Sequence, residues 1–245
     1  MERDFESYFK EFEALPFERH LENFRHKRLL ELIGNYCKQS SRVLEIGPGR
    51  NPVFPKLKKA LHVDVLEPII PLYQILVQEN LHVEEIVIHN KTLDEAISVI
   101  QGNYDCIILS SVLHEIPHQN IALLQSQELL REGGKLFIVV PNSMSIHRLI
   151  GLHSGLISEL SDLTTTEIKM QQFVSYNPQT LVDQLVSLNF NILSVSTGFV
   201  KLFPHAKMQE LIDNGIVNDE VLEFFYKASD HLDAFGSEIF AVVTK

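Results

Sequence analysis

Arg42-Val43-Leu44-Glu45-Ile46-Gly47-Pro48-Gly49-Arg50-Asn51-Pro52 carries a short apolar run straight into a turn with two glycines one residue apart. Branched residues closed by such a turn read as a strand buried on both faces. The glycines let backbone pass close beneath a ligand, and the amides after them face polar or negative groups. Downstream, apolar runs at 61–66, 83–88, 104–111 and 135–140 alternate with amphipathic stretches at 68–77, 92–100 and 117–131. That alternation predicts a parallel sheet with helices on its faces. Gly133-Gly134 reads as a helix stop and turn. Two later runs, 190–200 and 238–243, are separated by helical stretches at 208–216 and 218–231. They are expected to pair antiparallel at one edge of the sheet.

The fold class is therefore α/β: a Rossmann-like, doubly wound, mostly parallel seven-stranded sheet with an antiparallel edge strand. Ahead of it, Phe5, Tyr8, Phe9, Phe12 and Leu15 recur at three- and four-residue steps, and Leu21, Phe24, Leu29, Leu30 and Ile33 continue that spacing after Pro16. Residues 1–40 are expected to form a helical lid packed on the main domain of residues 41–245. Cap insertions are expected at about 143–180 and 200–235. The polar run 158–169 reads as the entry to the first cap.

Composition narrows the chemistry. With 245 residues and 45% hydrophobic content the chain can fill one large core, which excludes a disordered or fibrous protein. Lys+Arg 21 against Asp+Glu 32 leaves a net charge of -11, which repels phosphate-rich partners and excludes nucleic acid as substrate. Cys37 and Cys106 lie far apart in sequence and read as free thiols of a reducing compartment. No run reaches membrane-spanning length without charges, and Met1 to Glu6 lacks a signal-peptide core, so a cytoplasmic protein is expected. The expected partner is a small-molecule substrate, with neither nucleic acid nor membrane, and a homodimer stays open. His62, His82 and His89 lack metal-ligand spacing, and no metal is expected. Ser110-Ser111 lacks the glycine elbow of a hydrolase nucleophile.

Asp64, read as the acid ending the second strand, can accept hydrogen bonds from both hydroxyls of a ribose. Together with the glycine turn it points to a nucleoside cofactor. A dinucleotide oxidoreductase uses the same parts, but its third glycine is replaced here by Pro52. Glu45 before the turn would repel a pyrophosphate and attract the ammonium of an amino acid.

At this point the chain resembles the class I S-adenosylmethionine-dependent methyltransferases. The resemblance runs through Leu44-Glu45-Ile46-Gly47-Pro48-Gly49, Asp64, Tyr104 to Ile116, Leu129 to Leu136 and Val140 to Leu149. Val140-Pro141-Asn142, Tyr176-Asn177-Pro178 and Ser237-Glu238-Ile239-Phe240 look like the small-molecule subgroup found in sugar, lipid and natural-product pathways. The resemblance implies S-adenosylmethionine as cofactor and S-adenosylhomocysteine as product. It places Glu45, Ile46, Gly47, Pro48 and Gly49 around the methionine end, Asp64 on the ribose, Val65 by the adenine, Asn90 at the adenine amino group, and Ser110 and Ser111 near the transferred methyl. Arg148, Gln172 and Tyr176 become candidates for substrate binding.

Three departures stand out. Asn51 replaces the loop's third glycine and is read as left-handed. Pro52 and Pro55 crowd the stretch before the second strand, so the first helix should be unusually short under an irregular loop. Gln171-Gln172 stands where relatives place Gly-His, which removes one catalytic histidine. Methyl transfer to oxygen, or second to nitrogen, needs alignment and a base. His114 and His147 follow the fourth and fifth strands at the carboxyl edge and are the base candidates. The rival reading is a catalytically silent nucleoside-binding protein.

Overall fold

The structure is a computed structural model that describes residues 4–15, 17–37, 42–57, 60, 62–232 and 234–245. Pro16, Leu61 and the 40/41 boundary lie outside them. Seven strands form one sheet among the described residues: β1 Arg42–Ile46, β2 His62–Leu66, β3 Ile86–His89, β4 Tyr104–Ser110, β5 Leu130–Pro141, β6 Asn191–Gly198 and β7 Glu238–Thr244. Their order is β3-β2-β1-β4-β5-β7-β6. Strands β1 to β5 pair in parallel, and β7 runs antiparallel between β5 and β6. The last two strands thus lie at one edge as an antiparallel pair, with β7 one place in. The order reverses at β1/β4, the switch point where open sheets of this kind bind ligands at their carboxyl ends.

Ten helices accompany them among the described residues: α1 Phe5–Glu13, α2 Glu18–Tyr36, α3 Ile70–Glu79, α4 Leu93–Ala96, α5 Gln119–Leu129, α6 Ile146–His153, α7 Thr165–Lys169, α8 Pro178–Ser187, α9 His205–Asp213 and α10 Asp219–Ala228. Alternation along each strand sorts the core into two layers. Leu44, Leu66, Ile107 and Ile138 face α4, α5 and α8 through Leu93, Ala122, Leu123 and Leu181. Val43, Val65, Ile108 and Val139 face α2 through Leu29, Leu32 and Ile33. Residues 1–40 are therefore not set apart as a lid, because the second half of α2 is a wall of the main core. Its start packs with α9 and α10 through Phe17, Leu21, Met208 and Leu222. At the ligand end α1 lies across the cavity, with Tyr8 against Ile69, Leu72 and Met170, and the start of α2 lines its wall.

Two local expectations change. α5 stops at Leu129 and the chain enters β5 at once, so Gly133-Gly134 is not a helix stop. Gly134 is instead a close approach, where a Cβ would stand 2.6 Å from the Tyr104 carbonyl oxygen. α4 closes after four residues, begun by a capping box in which the Thr92 amide donates to Glu95 at 2.8 Å.

Candidate active site

The β1 turn opens a cavity of about 790 Å³ at the carboxyl edge of the sheet. Gly47 and Gly49 both take left-handed φ, +61° and +66°. A Cβ on Gly47 would meet Val112 Cγ2 at 2.8 Å, whereas one on Gly49 would meet nothing within 4 Å. The first glycine is required by packing, and the second faces open space that a ligand can fill. Gly47→Ala is expected to cost about 2 kcal/mol, from left-handed backbone and the clash together. Equilibrium urea unfolding checks it. Asn51 does not share the left-handed backbone; its side chain hydrogen-bonds Glu22 of α2 and ties the turn to that helix.

Among the described residues before β2 the turn leads only into a 3₁₀ turn at Phe54–Lys56, as the prolines implied. Glu45 holds it there. Its buried carboxylate accepts from the Val53 amide at 2.8 Å and the Phe54 amide at 2.8 Å. Burial pushes this carboxyl up to about 7 against those hydrogen bonds. Glu45 lines the cavity but is engaged by backbone, so it shapes the loop.

Asp64 does not end β2. It is the third residue of that strand, 4% exposed, and points into the layer beneath α4. Tyr104 donates to it at 2.7 Å, His62 and His89 contact it at 2.7 and 3.1 Å, and Arg42 lies 3.5 Å away. Burial opposes its ionisation, yet Tyr104, His89 and His62 hold the carboxyl below its ordinary range. The acid past the strand end is Glu67, which the sequence reading passed over. It accepts from the Gly49 amide at 3.1 Å and the Ile69 amide at 2.9 Å, so it is tied to the glycine turn, buried just behind the residues that line the cavity. Val65 is likewise mid-strand, fully buried in the α2 layer. Ile46 is a core residue. Exposed Asn90 donates to the Glu67 and Pro68 carbonyls at 2.9 and 3.0 Å and so braces that corner.

Ser110 and Ser111 end β4 and line the cavity beside Pro48. Ser111 is left-handed, φ +59°, and donates its amide to the Val139 carbonyl at 2.9 Å. His114 follows in a 3₁₀ turn, 2% exposed, with Nε2 3.8 Å from Glu115. Tyr8 of α1 donates to Glu115 at 3.2 Å, and the Asp4 and Gln171 groups bond twice at 2.8 Å. These contacts seat α1 across the opening. His147 sits in the first turn of α6, with Nδ1 2.9 Å from Ser145 Oγ. Burial, then Lys201, His205 and Arg148, hold its pKa well below the ordinary imidazole value.

Of the substrate candidates, Arg148 lines the cavity but is heavily engaged, and Tyr176 lies away from it. Arg148 donates twice to Glu167 at 2.9 Å and again to the Leu160 and Asp162 carbonyls, clamping the 158–167 segment. Tyr176 is 3% exposed, donates to Gln184 at 2.8 Å and bridges Asn142, away from the cavity. Gln172 does line it. Missed by the sequence reading are Arg25, Glu18 and Glu238, a buried ion cluster on the same wall, and His26, whose Nδ1 lies 2.7 Å from Lys56 Nζ.

His26 carries a pH signature. Burial, then Lys56 and Arg25, lowers it to about 3. The unfolded chain then binds the extra proton between about pH 6.5 and 3, so this residue removes stability as pH falls through that window. Relative to His26→Gln, the wild type is expected to lose stability on acidification from pH 7 to 4, read by urea unfolding at each pH. A difference independent of pH would contradict it.

The geometry now meets the comparisons. The sequence model of a family described as "Methyltransferase domain" matches residues 17–195. The chain belongs to this methyltransferase family. A highly reducing polyketide synthase, lcsB, from Purpureocillium lilacinum is 36% identical over 58 residues, which are 23% of this chain and 2% of that protein. The methyltransferase thus spans a small fraction of that relative's length. Among solved structures, a SAM dependent methyltransferase from Archaeoglobus fulgidus is similar at TM-score 0.57, 18% identity and coverage of 90% and 92%. The plantazolicin methyltransferase BamL, solved with a triazolic desmethylPZN analog and SAH, is similar at 0.56, 13% identity and 98% and 97% coverage. Both likenesses establish fold. No helix of the methyltransferase among the described residues is long and apolar enough to cross a membrane.

Proposed function

We propose that this methyltransferase methylates an oxygen of a small-molecule acceptor held in the far half of the cavity. One observation carries the reading: a single continuous space reaches from Gly47, Gly49 and Ser111 to His147, Lys201 and His205. Glu67, tied to the turn, is the acid that takes the ribose, because a carboxylate offers about four acceptor sites in one place. Gly49 leaves room for the chain that follows. S-adenosylmethionine supplies a methyl on a sulfonium, a leaving group needing no metal.

His147 is the base. In the tautomer where Nδ1 donates to Ser145, Nε2 presents a lone pair, and burial keeps the ring neutral so that this lone pair is free at neutral pH. His114, beside Ser111, packs near the methyl. The segments at 143–180 and 200–235 choose the acceptor. Calorimetry with S-adenosylmethionine and its demethylated product, followed by assays over an acceptor library, tests the whole. Turnover is expected, with His147→Gln slowing kcat about 100-fold or more and leaving cofactor affinity unchanged. Cofactor binding without turnover on any acceptor, or an unchanged kcat in His147→Gln, would contradict it.

A further inference from the structure

Lys201 follows β6 by three residues, at the carboxyl edge of the sheet. Its position is fixed by its neighbours. Phe199 takes a left-handed φ of 54° and packs its ring against Phe17, Phe24 and Phe225. The Val200 amide donates to the Phe225 carbonyl at 2.9 Å. The side chain that follows is 4% exposed and lines the cavity. Among the described residues its Nζ has no hydrogen-bond or ion-pair partner at contact distance. The other two cations of this wall are matched: Arg25 by Glu18 and Glu238, and Arg148 by Glu167. His147 and His205 beside it are both held neutral by burial first and by Lys201 next. The side chain is buried while its ammonium opens on the cavity, where a ligand can complete it.

We propose that Lys201 recognises a carboxylate on the methyl acceptor. The inference rests on the far half of the cavity being the acceptor site. Burial lowers Lys201 to about 8, with Glu18, Glu238 and Glu167 opposing, so the ammonium form dominates at neutral pH. With Glu18, Glu238 and Glu167 already acting on Lys201, this wall carries little net positive charge and suits a monoanion at most. A phosphate dianion would bring more negative charge against Glu18 and Glu238 than one ammonium balances.

The test uses protein saturated with S-adenosylhomocysteine, titrated by calorimetry at pH 7 with benzoate, benzamide and inorganic phosphate. Benzoate is expected to bind at least about tenfold more tightly than benzamide or phosphate, the scale of a charge-assisted hydrogen bond. Lys201→Met is expected to remove that preference by about tenfold or more, while S-adenosylhomocysteine affinity stays and Tm holds or rises. Lys201→Arg should retain most of it. Benzoate bound no better than benzamide, or equally by Lys201→Met, overturns the assignment, and phosphate bound more tightly than benzoate overturns the choice of carboxylate. Failure of S-adenosylhomocysteine itself to bind falls on the cofactor groove instead.

Discussion

Arg25→Met is expected to destabilise the fold by about 3–5 kcal/mol, the scale of breaking a buried ion pair by removing one partner. The guanidinium is 6% exposed and is shared by two carboxylates, Glu18 at 2.6 Å and Glu238 at 2.5 Å. One cation cannot fully satisfy both. Burial raises Glu238 to about 7 although Arg25 opposes it, while for Glu18 burial is outweighed by Arg25, which holds it below its ordinary range. Removing Arg25 leaves two buried acids with only Lys201 to oppose their charge. They can escape by protonation, which sets the sign of the pH dependence. The deficit should grow from pH 5 to pH 8, because the unpaired carboxylates must ionise over that range. Urea unfolding of both proteins at the two pH values checks it. A loss below about 1 kcal/mol at pH 8, or one that shrinks as pH rises, would contradict the account.

Glu67→Gln is expected to weaken S-adenosylhomocysteine binding about ten- to hundredfold, since hydrogen bonds to a charged group are worth about 1.5–3 kcal/mol. Gly49 and Ile69 donate to different oxygens of Glu67, so the amide keeps one of the two bonds and Tm is expected to fall as well; affinity is the readout that separates the roles. On affinity Asp64→Asn should behave in the opposite way. Its partners Tyr104, His62, His89 and Arg42 all belong to the protein, so the loss appears in Tm while affinity stays within about threefold. Calorimetry and thermal unfolding on the two variants separate the roles. Affinity lost in Asp64→Asn and kept in Glu67→Gln would return the ribose to Asp64.

The difference between these two acids shows how far sequence reading reaches. The run His62-Val63-Asp64-Val65-Leu66-Glu67 announces a buried strand and an acid near its end, and both are there. What it does not announce is where the strand stops, which is set by pairing: Ile46 opposite Leu66, and the Gly47 amide on the Leu66 carbonyl. Two residues of further extension keep Asp64 inside the sheet and leave Glu67 beyond it. Strand existence and helix alternation were legible because apolar periodicity reports burial directly. Side-chain partnership was not. Arg148 and Tyr176 look like substrate contacts in sequence, yet their partners Glu167 and Gln184 arrive from other elements. Lys201, behind the apolar Phe199-Val200, carries no local signal of the cavity it enters. The two base candidates, after the fourth and fifth strands, both line the cavity, because strand order alone brings those strand ends to the carboxyl edge.

The account turns on where the adenosyl group lies, and a crystal structure of the methyltransferase with S-adenosylhomocysteine measures that directly. It should show both ribose hydroxyls within hydrogen-bond distance of Glu67 and the amino-acid end over Gly47 and Gly49. Ribose held by Asp64, or a ligand excluded from the β1 turn, would contradict it.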